Sequence, residues 1–199
     1  NDFYKTLSKI DEKTPTIDIG KINNRYFINI VSIGIDAEVA DNVSLMKKRK
    51  IPPKQIYNAS LVYTFFKYKY KDIDLSIDEH EQRKGKCTIL TICNGQVYGG
   101  GYKIAPNARL TDGYLDVYYV EKVNKAIIPS LINMLKKGIH ESHNKVHKSH
   151  ATKVKFKCDK ELVCNIDGEI MKDKKFSVKI IPNSLTIYND KELIKEFLR

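Results

Sequence analysis

The chain has 199 residues, of which 42% are hydrophobic and 10% aromatic; this is enough apolar material for one substantial folded domain and excludes intrinsic disorder. The formal net charge of +11 suggests an anionic partner such as nucleic acid, acidic lipid headgroups or a phosphorylated substrate, although a solvated lysine-rich surface would give the same excess. Lysine far outnumbers arginine, the better residue for bidentate contacts to bases, so sequence-specific DNA binding is disfavoured.

Four strands and one helix are predicted up to residue 94. The Asn-Asn pair at 23–24 predicts a turn between the first two strands, and Gly34 indicates a bulge or a close backbone approach. A basic segment with two prolines precedes the helix, in which apolar residues recur at helical spacing. The strands are 16–22, 25–39, 71–78 and 86–94, and the helix is 55–70.

The second half opens with a glycine-rich loop at 94–113 and continues mainly as strands. A helix at 124–138 has Gly138 as its C-terminal cap, and a polar connector is predicted at 140–150. The strands are 114–121, 151–158, 161–166 and 169–189, the last broken near Pro182, and a short helix is predicted at 191–199. Strands in hairpin-like succession predict a mainly-β (α+β) fold, an antiparallel β-sandwich of two sheets with a few attached helices.

The four cysteines are spaced unlike short zinc sites, and they are predicted to be buried free thiols in a reducing compartment. No apolar run is long enough to span a membrane, so a cytoplasmic protein, soluble or peripheral to the membrane, is expected. The chain begins with Asn1 instead of Met, which indicates a processed N-terminus or a piece of a longer protein.

Three short segments could carry chemistry, and each has a simpler structural explanation. Asp112-Gly113 is a turn pair that could also contribute a carboxylate to a magnesium or calcium site. His143 and His147 have the spacing of a helical metal site, but without the intervening glutamate a solvated connector is favoured. In "LVCNIDGEIM", Asp167-Gly168 predicts a two-residue hairpin turn, which could also project a carboxylate rigidly into a cleft as a general base.

Together, "YFINIVSIGIDAEV", "GGGYKIAPNARLTDGYLDV" and "CNIDGE" resemble, in this order, the C-terminal domain of the bacterial diacylglycerol kinase-like lipid kinases, which are related to sphingosine kinases. The resemblance covers essentially the whole chain. Proteins of that family carry an N-terminal nucleotide-binding domain with a GGDGT motif that ends in a GTxNDF segment. This chain opens with "NDF" and contains no GGDGT, so the resemblance implies one C-terminal domain over 1–199, inactive without its nucleotide-binding half.

The resemblance also implies roles for individual residues. Asp167 and Glu169 would act on a lipid hydroxyl in a transfer of the ATP γ-phosphate that uses Mg²⁺. Glu169 is assigned as the proton acceptor and Asp167 as its partner, and the opposite order is the alternative. A secondary magnesium site would consist of the Asp112 side chain with the backbone carbonyls of Arg109 and Tyr114. Asp2 would correspond to an aspartate in the polar network near the nucleotide.

Partners follow from the same resemblance. The lipid substrate is expected to be diacylglycerol, with a sphingoid base, an undecaprenol-like alcohol or phosphatidylglycerol as alternatives, and no role for nucleic acid is expected. The basic residues Lys47, Lys48, Arg49 and Lys50, beside an aromatic helix, are candidates for contact with an anionic membrane surface, which would make the protein peripheral at the inner face of the membrane. The alternatives are a solvated loop at this segment and, for the whole chain, an NAD kinase-like enzyme, a non-catalytic lipid-binding or nucleic-acid-binding sandwich, or a stand-alone regulatory remnant. The oligomeric state is left open, and a homodimer is one option.

Overall fold

A computed structural model describes residues 15–47, 52–99 and 101–187 of the chain. Within these ranges the fold contains nine antiparallel strands, three α-helices and two short 3₁₀ turns. The strands are β1 (Thr16–Ile22), β2 (Arg25–Phe27), β3 (Ile30–Gly34), β4 (Lys71–Ile77), β5 (Glu81–Cys93), β6 (Leu115–Glu121), β7 (Val146–Ala151), β8 (Lys153–Ile166) and β9 (Glu169–Thr186). The helices are α1 (Ile35–Met46), α2 (Pro53–Lys67) and α3 (Ile128–Lys137).

The strand ladders join in the order β2-β1-β9-β8-β3-β5-β6-β7, and β4 also pairs with β5 and β8. Strands β3 and β4 lie end to end between the same two neighbours, because β3 pairs with the second half of β5 and β4 with the first half. Helices α1 and α2 connect these two strands, so they form a helical hairpin that leaves the sheet at Gly34 and returns at Lys71.

One hydrophobic core holds the sheet together. Phe27 of β2 and Ala151 of β7 come from opposite ends of the strand order, yet both belong to the same buried cluster, so the sheet folds over on itself. A second cluster forms on the other side of the sheet, where Ile30 and Cys93 are covered by Ile104 and Ala105 of the glycine-rich loop. The prediction of a mainly-β antiparallel sandwich with a few helices is confirmed, although the strands of the described residues form one continuous sheet instead of two separate ones.

The prediction of one strand over 25–39 is wrong beyond Gly34. Ile33, Ile35, Ala37 and Val39 alternate as in a strand, but helix α1 begins at Ile35. Gly34 has φ 114°, and a Cβ at this position would lie 2.4 Å from the carbonyl oxygen of Thr88. The predicted close approach is therefore confirmed, and it marks the point where the chain leaves the sheet.

The polar connector predicted at 140–150 is also wrong, because β7 occupies its second half. In the part of the chain that the structure describes, strand β7 pairs with β6 alone, at one end of the strand order, so most of its side chains stay partly exposed and can be polar. Strand β8 is continuous where two strands were predicted; a bulge between Lys157 and Leu162 carries the polar residues that suggested a break. Strand β9 likewise continues past Pro182 to Thr186, with a register irregularity against β1.

Cys87, Cys93 and Cys164 are buried free thiols, as predicted, and Cys158 is half-buried. Gly138 caps α3 in the left-handed conformation, with φ 70°. Asp2, Lys48, Arg49, Lys50 and the predicted helix at 191–199 lie outside the described residues.

Candidate functional site

The site is built around the hairpin turn between β8 and β9. Ile166 pairs with Glu169 across the turn, and the two residues between them have φ 46° (Asp167) and φ 96° (Gly168). Two successive left-handed residues suit the tightest hairpin turns, in which a small polar residue followed by glycine is preferred. The predicted turn is thus confirmed, and it places Asp167 and Glu169 at the tip of a rigid hairpin.

The Asp167 carboxylate holds the backbone between β2 and β3. Its Oδ2 accepts the N–H of Ile28 at 2.7 Å, its Oδ1 accepts the N–H of Ile30 at 2.7 Å, and both oxygens lie 3.2 Å from the nitrogen of Asn29. The Asp167 N–H also donates to the carbonyl oxygen of Ile30, at 3.0 Å. Because both carboxylate oxygens accept backbone hydrogen bonds, Asp167 is an anchor that joins the turn to the start of β3.

Glu169 is in a different position. Its side chain is 80% exposed, and Oε2 lies 3.3 Å from Nη1 of Arg25, which is itself 46% exposed. Both side chains border an open depression of about 370 Å³ that is also lined by Tyr26, Ile166 and Asp167. An exposed ion pair of this kind contributes little to stability. The Glu169 carboxylate is therefore held near a cation and is accessible to a molecule that enters the depression.

A second clamp holds the turn from inside the protein. The N–H of Gly168 donates to Oδ1 of Asn165 at 2.9 Å, and Asn165 is only 5% exposed. Sequence analysis missed Arg25, Asn165 and the 28–30 backbone. Ile28–Ile30 is more than 130 residues from Asp167 in sequence and Arg25 is 144 residues from Glu169, so no local pattern could have connected them.

Asp112 lies in the turn before β6. Its Oδ1 accepts the N–H of Tyr114 at 3.0 Å, which is the hydrogen bond expected of an aspartate turn. The turn is braced from below by Asp18, 1% exposed, which accepts the N–H groups of Gly113 at 2.7 Å and Asn183 at 2.8 Å. Among the described residues no three His, Cys, Asp or Glu side chains converge as a metal cluster. The predicted site uses one carboxylate and two backbone carbonyls, a different type of donor set, and stays a prediction.

Comparison with known proteins identifies the family. Residues 29–189 match the model of the YegS C-terminal NAD kinase beta sandwich-like domain, which is most of the chain. The chain belongs to this family. The β8–β9 turn, the glycine-rich loop and the α1–α2 hairpin all lie inside the matched range.

Curated relatives of this family member are named diacylglycerol kinase. One from Staphylococcus aureus (strain JH9) is 30% identical over 171 residues, which cover 85% of this chain and 53% of the relative. One from Staphylococcus haemolyticus is 29% identical over 161 residues, which cover 80% of this chain and 48% of the relative. The chain thus spans about half the length of these relatives.

A solved structure shares the fold. A Bacillus anthracis str. Sterne protein, provisionally assigned as a diacylglycerol kinase, superimposes with a TM-score of 0.69 at 20% identity over 95% of this chain and 61% of that chain.

The α1–α2 hairpin of this family member has an inverted distribution of polarity. Ser60 and Thr64 of α2 are 0% and 2% exposed. The Ser60 hydroxyl donates to the carbonyl oxygen of Val39 in α1 at 2.7 Å, and the Thr64 hydroxyl oxygen accepts from Nδ2 of Asn42 in α1 at 2.9 Å. The outward side of α2 is apolar: the exposed fractions are 37% for Leu61, 53% for Val62, 49% for Tyr63 and 74% for Phe66. Helix α2 therefore combines buried polar contacts with a large exposed apolar side.

The predicted basic segment lies at the end of this hairpin. Lys47, at the C-terminus of α1, is exposed, and the three basic residues after it lie outside the described ranges. Among the described residues no helix is long and apolar enough to cross a membrane.

Proposed function

We propose that this chain is the acceptor-side domain of an ATP-dependent lipid kinase, which transfers the γ-phosphate of ATP to a lipid hydroxyl. The observation that carries the proposal is the accessible Glu169 carboxylate at the tip of a turn fixed by Asp167 and Asn165. Family membership and the names of the curated relatives support a kinase, and diacylglycerol is the first substrate to test.

The two carboxylates have separate roles in this proposal. Glu169 accepts the proton of the lipid hydroxyl, because its carboxylate is exposed and free of backbone hydrogen bonds among the described residues. Asp167 positions the turn, because its oxygens accept the N–H groups of residues 28–30. Arg25 lies 3.3 Å from Glu169, is nearly half exposed and is able to contact a phosphoryl oxygen as the transfer proceeds.

In the transfer, the lipid oxygen attacks the γ-phosphorus as its proton moves to Glu169. The bond from the γ-phosphorus to the β–γ bridging oxygen breaks, and ADP leaves with that electron pair. Magnesium bound with ATP would neutralise phosphate charge. A second magnesium would be held by Asp112 and the carbonyls of Arg109 and Tyr114, because carboxylate and carbonyl oxygens are the ligands that this ion takes. ATP would be bound by a nucleotide-binding domain, so the 199-residue chain alone is expected to be inactive.

We propose further that the α1–α2 hairpin contacts the membrane. The exposed apolar side of α2 would enter the outer acyl region, and Lys47 and Lys67 would face anionic headgroups. The basic residues at 48–50 are proposed as further contacts with these headgroups. The protein would then be peripheral at the inner face of the membrane.

An assay of acceptor choice tests the proposal and its alternatives. A protein that joins this chain to a nucleotide-binding domain is incubated with γ-labelled ATP and one acceptor at a time: diacylglycerol in phosphatidylglycerol vesicles, a sphingoid base, or NAD. Label in a lipid is the expected result. Label in NAD would establish the NAD kinase-like alternative. Vesicle binding with no label in any acceptor would favour the non-catalytic lipid-binding module.

A further inference from the structure

A chain of hydrogen bonds through the side chains of Asn165, Tyr98 and Asp36 connects the β8–β9 turn to helix α1. Gly168 donates its N–H to Oδ1 of Asn165 at 2.9 Å, and Nδ2 of Asn165 donates to the Tyr98 hydroxyl oxygen at 2.7 Å. The Tyr98 hydroxyl in turn donates to Oδ2 of Asp36 at 3.2 Å. The chain therefore joins three elements that are far apart in sequence, namely strand β8, the glycine-rich loop and the first turn of α1.

The surroundings of this chain are polar although they are buried. Asn165 pairs across the sheet with Ser32, which pairs with Thr91, and the exposed fractions of Ser32 and Thr91 are both 1%. Ser32 Oγ, Thr91 Oγ1 and Asp36 Oδ1 are shielded from solvent and have no hydrogen-bond partner among the described residues. Buried polar atoms without partners cost stability, typically about 1–3 kcal/mol each. The buried polar residues Asn165, Ser32 and Thr91 therefore do not stabilise the fold better than apolar residues would at the same positions.

Asp36 adds to this cost. Burial is the largest effect on its carboxyl group and raises its pKa to about 6, against the hydrogen bond from the Tyr98 hydroxyl, which lowers it. Asp36 lies at the start of the helical hairpin whose far side exposes Phe66 and its apolar neighbours. The same hydrogen-bond chain thus touches the proposed membrane hairpin at one end and the Glu169 turn at the other.

We propose that Asp36, Tyr98 and Asn165 are positioning residues that couple the α1–α2 hairpin to the β8–β9 turn, so that docking of the hairpin on an anionic bilayer fixes the orientation of Glu169. This inference rests on the proposed function, because it assigns a regulator, the membrane surface, to the same site. When the hairpin docks on the bilayer, α1 is held in place, so Asp36 keeps its hydrogen bond with Tyr98. Tyr98 in turn keeps Asn165 aligned to accept the N–H of Gly168.

Hydrogen exchange of the chain tests this coupling without any catalytic step. Mass spectrometry follows the backbone amides of residues 165–170, with and without vesicles of phosphatidylglycerol and phosphatidylcholine. In the wild type, vesicles are expected to slow exchange of these amides at least threefold. Tyr98→Phe removes the hydroxyl that bonds both Asn165 and Asp36, so it should abolish the vesicle effect while vesicle binding remains unchanged.

Two controls separate coupling from general stability. Tyr102→Phe removes a hydroxyl from the same loop outside the chain of hydrogen bonds, and it should retain the full vesicle effect. Asp36→Asn keeps an oxygen that can accept the Tyr98 hydroxyl and should retain most of the effect, whereas Asp36→Ala should lose it. If Asp36→Ala fails to fold, the comparison of Tyr98→Phe with Tyr102→Phe decides whether the vesicle effect depends on the chain of hydrogen bonds.

An unchanged vesicle effect in Tyr98→Phe would overturn the proposal, and so would the absence of any vesicle effect in the wild type. A failure of the kinase proposal gives a different result: vesicle-dependent protection of the turn would persist, but no acceptor would be phosphorylated.

Discussion

Replacing Asp36 with asparagine should stabilise the fold at neutral pH, even though it removes a charge from a helix N-terminus. Burial raises the pKa of Asp36 from 3.8 to about 6, so the folded state binds more protons than the unfolded state between these two values. The contribution of Asp36 to stability is therefore greatest below pH 3.8 and is lost as the pH rises through 6. At about 1.4 kcal/mol for each tenfold change in proton affinity, the loss above pH 6 is at most about 3 kcal/mol.

Asparagine does not carry this cost, because it remains neutral at every pH. Urea unfolding followed by circular dichroism, suitable for a chain without tryptophan, should show a gain of up to about 3 kcal/mol for Asp36→Asn at pH 8 and less than about 1 kcal/mol at pH 4. Asp72→Asn removes the same charge at an exposed position on β4 and is the matched control. A gain that is equal at the two pH values, or a loss at pH 8, would refute the reasoning.

Three further predictions concern the anchor, the exit from the sheet and the membrane face. Asp167→Ala should lower the free energy of unfolding by about 1–2 kcal/mol, because the N–H groups of Ile28 and Ile30 lose their acceptor. Urea unfolding measures it beside Asp159→Ala, a control at an exposed position on β8, and equal stability of the two variants would contradict the anchor role. Gly34→Ala should cost about 3 kcal/mol or more, since its Cβ would meet the Thr88 carbonyl, whereas Gly99→Ala, with open space around it, should change stability by less than about 0.5 kcal/mol. Leu61→Ser combined with Phe66→Ser should weaken co-sedimentation with phosphatidylglycerol vesicles about tenfold or more, because both side chains are exposed and apolar. The control Ile139→Ser, at a residue that is 52% exposed in the loop after α3, should leave vesicle binding intact. Equal vesicle binding by the double variant and the control would exclude α2 as the contact.

The sequence was sufficient to predict the strands that have a clear alternating pattern and the turn that carries Asp167 and Glu169. It was not sufficient for α1, because Ile33, Ile35, Ala37 and Val39 alternate as the residues of a strand would. The strand ends at Gly34, where the backbone passes close to Thr88, and this contact is visible only in the structure. Strand β7 was missed because a strand with one neighbour does not need an apolar pattern.

For the site, the sequence identified the carboxylates but not their surroundings. The difference between an anchored Asp167 and an accessible Glu169 arises from contacts with residues 25–30, more than 130 positions away. Asn165 and Tyr98 likewise look like ordinary strand and loop residues until the fold brings them together. Such long-range hydrogen bonds leave no periodic signal in the chain, so the division of roles between the two carboxylates required the structure.

The most direct test of the central claim is the turnover number of Glu169→Gln in a protein that joins this chain to a nucleotide-binding domain, with diacylglycerol in anionic vesicles as acceptor. Glu161→Gln, at an exposed glutamate on the same hairpin, is the matched control. Loss of a proton acceptor should lower kcat by about 100-fold or more with little change in KM for ATP, while the control retains wild-type kcat. A Glu169→Gln enzyme with wild-type kcat would contradict the assignment of Glu169 as the proton acceptor.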